Sequence, residues 1–207
     1  MSKFVVGAFV VCGVVLAAAA AYAQPGTYYP PPPPPGQYGY YAPPPPPPPG
    51  PIRDGLVLGF GLGGGAISCE DCDDSLGAAG GEFHIGGMLT PQLALLFDAS
   101  VLIHELENTN GATLSQVVNV GALQFWPTSR IWIKGGIGFG RMEVTDSEGY
   151  AVGRSEVGGA VMVAAGIELY QNSAFALDVQ GRFASVKYDD FDQNITNGSI
   201  LVGFNWY

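Results

Sequence analysis

From Arg53 to the C-terminus, large apolar residues alternate with small or polar ones and no stretch keeps a helical period, which predicts β-strands throughout. The first run sets Leu56, Leu58, Phe60 and Leu62 against Val57, Gly59, Gly61 and Gly63. The second sets Phe83, Ile85, Gly87 and Leu89 against Glu82, His84, Gly86 and Met88. In the third, Leu93, Leu95, Phe97, Ala99, Val101 and Ile103 oppose Ala94, Leu96, Asp98, Ser100, Leu102 and His104. The fourth, Leu114–Trp126, is the least regular. Its apolar phase is read as Val118, Val120 and Ala122 against Asn119, Gly121 and Leu123, which leaves Gln116 and Gln124 on the apolar side. Ile131, Ile133, Ile137 and Phe139 then oppose Trp132, Lys134, Gly136, Gly138 and Gly140. A sixth run opposes Val161, Val163, Ile167 and Leu169 to Ala160, Met162, Gly166 and Glu168. The seventh opposes Phe175, Leu177, Val179 and Phe183 to Asp178, Gln180 and Arg182. In the eighth, Ile200, Val202, Phe204 and Trp206 face away from Leu201, Gly203 and Asn205.

Short joins at Thr90–Gln92, Pro127–Arg130 and Gln171–Ser173 alternate with four longer, acidic ones. An even strand number, short turns at one end, long loops at the other and strands long enough to cross lipid predict an eight-stranded antiparallel up-and-down transmembrane β-barrel. A water-soluble barrel would put the large apolar phase inside. Here the other phase is too small and glycine-rich to cover a soluble surface, whereas an eight-strand lumen is just wide enough to be filled by such side chains. The apolar phase is therefore expected to face lipid.

The segment before Arg53 differs in kind. Lys3, the apolar run Phe4–Ala21 and the small-residue exit Ala21-Tyr22-Ala23 read as a signal peptide over 1–23. Residues 24–52 alternate proline runs with tyrosines and cannot bury a core. They are read as a disordered, semi-rigid periplasmic arm that offers a contact to the cell wall or to a periplasmic partner. The barrel domain is assigned to 53–207.

The formal net charge is −10, and most of the 18 acidic residues fall in the long joins, an acidity that fits no nucleic-acid partner. One such join carries Cys69-Glu70-Asp71-Cys72-Asp73-Asp74. In an oxidising compartment Cys69 and Cys72 are expected to pair with each other. Acidic neighbours oppose a redox-active thiol, and neither the ligand set of a zinc site nor the spacing of a calcium loop is present. No cofactor is implied.

The signal peptide, the strand Trp132-Ile133-Lys134-Gly135-Gly136-Ile137-Gly138-Phe139-Gly140 and the aromatic end Gly203-Phe204-Asn205-Trp206-Tyr207 resemble the small outer-membrane barrels of Gram-negative bacteria, the OmpA/OmpX/OmpW type. The resemblance implies a place in the outer membrane with both termini periplasmic and contact with its lipid and lipopolysaccharide. It makes Phe204, Trp206 and Tyr207 the signal read by the outer-membrane assembly machinery. No peptidoglycan-binding domain is expected after the barrel.

Three function classes follow: a structural, envelope-integrity protein with limited passage of small solutes; a surface adhesion or cation-binding module acting through acidic loops; and, most remotely, a lipid-modifying enzyme. The last needs a nucleophile beside a base. His84 and His104 both fall on the inward phase, and neither has a serine placed beside it. His84 is expected to face Asp98. The lumen is expected to hold Glu82, His84, Asp98, Lys134, Glu168, Asp178 and Arg182, with Lys134 beside Glu168 and Arg182 reaching across to Glu82 and Asp98, because a buried charge without a partner is costly.

Overall fold

The computed structural model describes residues 52–69, 75–106, 111–188 and 193–207. The expected signal peptide, nearly all of the proline-rich arm, and Cys72 with its neighbouring acids lie outside the described residues. Cys69 is the last residue of the first strand.

Among the described residues nine strands form one antiparallel sheet: β1 (Leu56–Cys69), β2 (Leu76–Thr90), β3 (Leu93–Glu105), β4 (Thr113–Phe125), β5 (Ile131–Thr145), β6 (Ala151–Arg154), β7 (Gly158–Gln171), β8 (Phe175–Tyr188) and β9 (Gln193–Trp206). Each long strand pairs with its neighbours in the chain, and β1 pairs with β9 from Leu58↔Trp206 to Cys69↔Ile195, which closes the barrel. Closure removes the edges that an open sheet would expose. The short β6 pairs only with the far end of β5, so eight strands make the barrel and β6 folds back inside one long join.

The short joins are held by local side-chain chemistry. Asn172 Oδ1 accepts hydrogen bonds from the Ala174 and Phe175 amides, both at 2.9 Å, and Thr128 Oγ1 accepts from the Ile131 amide at 3.0 Å. These are the turns that Asn and Thr favour because their oxygens substitute for a backbone acceptor.

Seven strands show the predicted faces, with Phe60, Phe97, Phe139, Phe183 and Ile200 outside and the glycine and polar phase inside. The fourth is inverted. Val118, Val120 and Ala122 are each 1% exposed and line the lumen with Gln116 and Gln124, while Leu123 and Phe125 face outward. The reason lies on β5. A Cβ at Gly138 would run into the Asn119 carbonyl, and one at Gly136 would lie 3.0 Å from Val120 Cγ2, so the valines occupy space that glycines on the next strand leave free. The two glutamines mark the inward phase, since an amide facing hydrocarbon would lose its hydrogen bonds.

The interior is layered. Toward the long loops, Leu102, Val118, Val186 and Leu201 form a buried apolar layer. Beyond it, Asn197 donates to Gln116 Oε1 at 2.9 Å and the Gln116 amide to the Tyr188 hydroxyl at 3.4 Å. Nearer the short turns the lumen is charged.

Candidate functional site

At the middle of the lumen four charges from four strands meet. Glu82 on β2 and Asp98 on β3 face Lys134 on β5 and Arg182 on β8, all 5% exposed or less. Arg182 Nη1 lies 3.1 Å from Glu82 Oε2 and 3.2 Å from Asp98 Oδ2, and its Nη2 donates to Asp98 Oδ1. Lys134 Nζ donates to Asp98 Oδ2 at 2.9 Å and stands 3.6 Å from Glu82 Oε2. Gln180 adds a hydrogen bond to Glu82 Oε1 at 2.8 Å. Two carboxylates and two cations thus balance across the barrel. A forked guanidinium and convergent donors are what a buried pair needs to offset its desolvation.

The expected reach of Arg182 to Glu82 and Asp98 is therefore present. Lys134 departs from expectation: it joins this central group and not Glu168. Its ammonium lies 5.2 Å from the Trp132 ring centroid, and the bulk of that indole on the same strand lies against Gly166 of β7.

His84 is cross-strand from Asp98, as expected, yet its Nδ1 hydrogen bond is to Glu82, at 3.4 Å. Its ring covers Gly59, where a Cβ would collide with the imidazole. Glu82, His84 and Asp98 place donor atoms within 4.8 Å of one another, a spacing a metal ion could use. Both carboxylates are already engaged by Lys134 and Arg182, so a cation would have to displace two others. The donor set is that of an ion-pair cluster.

A second cluster closes the short-turn mouth. Glu168 is fully buried on β7 and collects donors from four directions. Trp126 Nε1 and the Tyr207 hydroxyl each donate to Oε1 at 2.8 Å, and Arg53 donates to Oε2 at 2.8 Å. The Gln171 amide nitrogen, turned toward it, donates to Oε2 at 2.9 Å. Arg53 also donates to the Ser129 carbonyl at 2.7 Å, and its guanidinium stands 4.8 Å from the Trp126 ring and 5.3 Å from the Tyr207 ring. Burial, and then the Glu168 carboxylate, push the Tyr207 phenol well above its usual pKa, so it stays a donor. Asp178, between the two clusters, accepts from Trp132 Nε1 and Asn205 Nδ2, both at 2.9 Å.

All seven expected lumen residues are buried inside the barrel. Sequence reasoning put Trp132 and Asn205 on the inward phase without giving them partners, and missed Arg53, Trp126 and the inward role of Tyr207. The signal for Arg53 was its place three residues before β1, where a chain entering at the short-turn end must cross the mouth. Phe204 and Trp206 face outward and stack with Phe60, at 5.0 and 5.9 Å between ring centroids, in a girdle that Phe175 extends.

The barrel is similar to the crystal structure of Neisserial surface protein A, with 12% identity over 73% of this chain and 96% of that one and a TM-score of 0.61. It is also similar to Ail, the attachment invasion locus protein of Yersinia pestis, with 11% identity, 73% and 99% coverage and a TM-score of 0.51. At these identities the likeness establishes the fold. No protein-family model and no curated protein matches the chain.

Proposed function

We propose that this chain is an integral outer-membrane β-barrel protein of a Gram-negative cell, with a structural, envelope-integrity role and a lumen closed at rest. Lipid exposure rests on the outer face, where Leu62, Ile137, Val163 and Ile200 are all more than half exposed around strands of 13 to 15 residues, longer than a bilayer crossing needs. In water such a band would drive aggregation. The short-turn end, with Arg53 and Tyr207, is placed on the periplasmic side, so the arm 24–52 begins there. The assembly machinery would read Phe204, Trp206 and Tyr207.

The observation that carries the closed lumen is the charge-balanced group of Glu82, Asp98, Lys134 and Arg182 spanning the barrel from β2 and β3 to β5 and β8. A water-filled, cation-preferring channel would leave those carboxylates facing the path. Here their oxygens face Lys134, Arg182 and Gln180. Solute passage would require these pairs to separate.

The geometry offers the enzyme alternative no support. His84 is held by Glu82 in the lumen and His104 Nδ1 meets the Gly77 carbonyl at 2.7 Å. Among the described residues no serine hydroxyl bonds to either ring. Planar-bilayer recording on the refolded protein tests the reading: it should show no steady single-channel current. A large, steady conductance would overturn it.

A further inference from the structure

Among the described residues one carboxamide stands inside the outward apolar band. Asn119 lies at the midpoint of β4, on the outward phase with Val117, Gly121, Leu123 and Phe125. Its cross-strand neighbours, Ala99 on β3 and Phe139 on β5, also face outward. The hydroxyls of that phase, Thr113 and Ser115, come only beyond Val117, toward the long loops. Asn119 is thus ringed by apolar side chains, and its carboxamide makes no hydrogen bond among the described residues.

Hydrocarbon offers an amide no partner, and leaving one unsatisfied there is costly. Polar side chains at membrane depth turn to protein or to one another. Ala99 and Phe139 give Asn119 neither donor nor acceptor, so its partner must come from outside the barrel. A second carboxamide meets the need in both directions, since each group donates and accepts.

The surface on the two sides of Asn119 differs in relief. On the β3 side a hollow of about 340 Å³ is floored by Gly81 and Ala99 and walled by Leu62, Phe83, Val101 and Val117. On the β5 side Ile137 and Phe139 project. Ile137 is 74% exposed, more than any other large apolar residue described. A twofold axis beside Asn119 brings the β5 side of each copy against the β3 side of the other, projection to hollow, as a self-complementary interface requires.

We infer that a second copy of this chain docks on the β3–β5 face. The two Asn119 carboxamides hydrogen-bond to each other, and Ile137 and Phe139 of each copy enter the hollow over Gly81 and Ala99 of the other. The inference rests on the reading above that the outer face meets lipid. There apolar contact alone does not favour protein over lipid, and close packing with hydrogen bonds must supply the preference.

The test is sedimentation equilibrium of the refolded full chain in neutral detergent micelles. The unmodified protein should form a monomer–dimer mixture that closes at two copies and shifts with the protein-to-detergent ratio. Asn119→Leu, which keeps bulk and removes the amide, should weaken the dimer about tenfold. Gly81→Leu should weaken it about a hundredfold by filling the hollow. A Cβ there meets only ordinary contacts within its own barrel, the Gly61 carbonyl and Leu62 Cδ2, each at 3.7 Å. Gly198→Leu should leave the dissociation constant unchanged, because β9 lies across the barrel from β4 and the nearest atom to a Cβ at Gly198 is 3.9 Å away. A monomer at every ratio, with or without copurified lipid, would overturn the inference. So would undiminished pairing in Asn119→Leu or Gly81→Leu, or an equal loss in Gly198→Leu. A protein monodisperse in buffer without detergent would remove the lipid-facing reading itself, whereas a detergent-dependent monomer would remove the pairing alone.

Discussion

The two charged clusters of the lumen solve the same problem in different ways. At the centre, Glu82 and Asp98 are neutralised by full charges, Lys134 and Arg182, that arrive from the opposite wall. At the short-turn mouth, Glu168 has one cation, Arg53, and otherwise neutral donors: an indole, a phenol and an amide. Asp178 has neutral donors only in Trp132 and Asn205. The centre is therefore brittle, because removing one member leaves an uncompensated buried charge. The mouth is redundant: any one donor can be lost while several remain.

That contrast orders the expected effects of substitution. Arg182→Met, which keeps bulk and removes charge, should destabilise the barrel most, by about 3–5 kcal/mol, read as urea unfolding in detergent micelles. Glu168→Gln should follow at about 1–3 kcal/mol, because the new amide group would face donors already aimed at it. Equal losses for the two would erase the distinction between centre and mouth. Trp132→Phe leaves Asp178 with Asn205 as its remaining donor in this arrangement, and about 1–2 kcal/mol is expected in the same assay. Tyr207→Phe, which removes one of several donors from Glu168 and keeps the edge packing of its ring on Trp126 at 5.8 Å, should cost about 1 kcal/mol or less. A Tyr207→Phe loss as large as that of Glu168→Gln would show that the mouth is not redundant.

How far such a layout can be read beforehand depends on the periodicity that carries it. The barrel was legible because a period of two, glycine on one phase and Phe, Leu or Ile on the other, repeats over eight strands. The Arg182 pairing was legible as well, since counting residues from the short turns sets depth. β4 was not, because Val118, Val120 and Ala122 look lipid-facing until Gly136, Gly138 and Gly140 are seen beside them. A lumen residue's polarity depends on the volume its neighbour leaves, which a single strand does not encode. Lys134 illustrates a related limit. Its Cα sits near the short turns, but four flexible methylenes carry its charge toward the centre. The mouth cluster escaped for a third reason: Trp126 and Tyr207 are large, mostly apolar rings whose single polar atoms point inward.

The central claim is that paired charge, and not bulk alone, closes the lumen. Single-channel current tests it most directly when Arg182→Met is compared with the double variant Asp98→Asn/Arg182→Met. The single variant leaves the central group one negative charge in excess; the double leaves Glu82 with Lys134 and restores balance. The account predicts a silent unmodified barrel, a leaky single variant and a double variant whose current returns toward silence. A double variant as leaky as the single, or steady conduction in the unmodified protein, would contradict it.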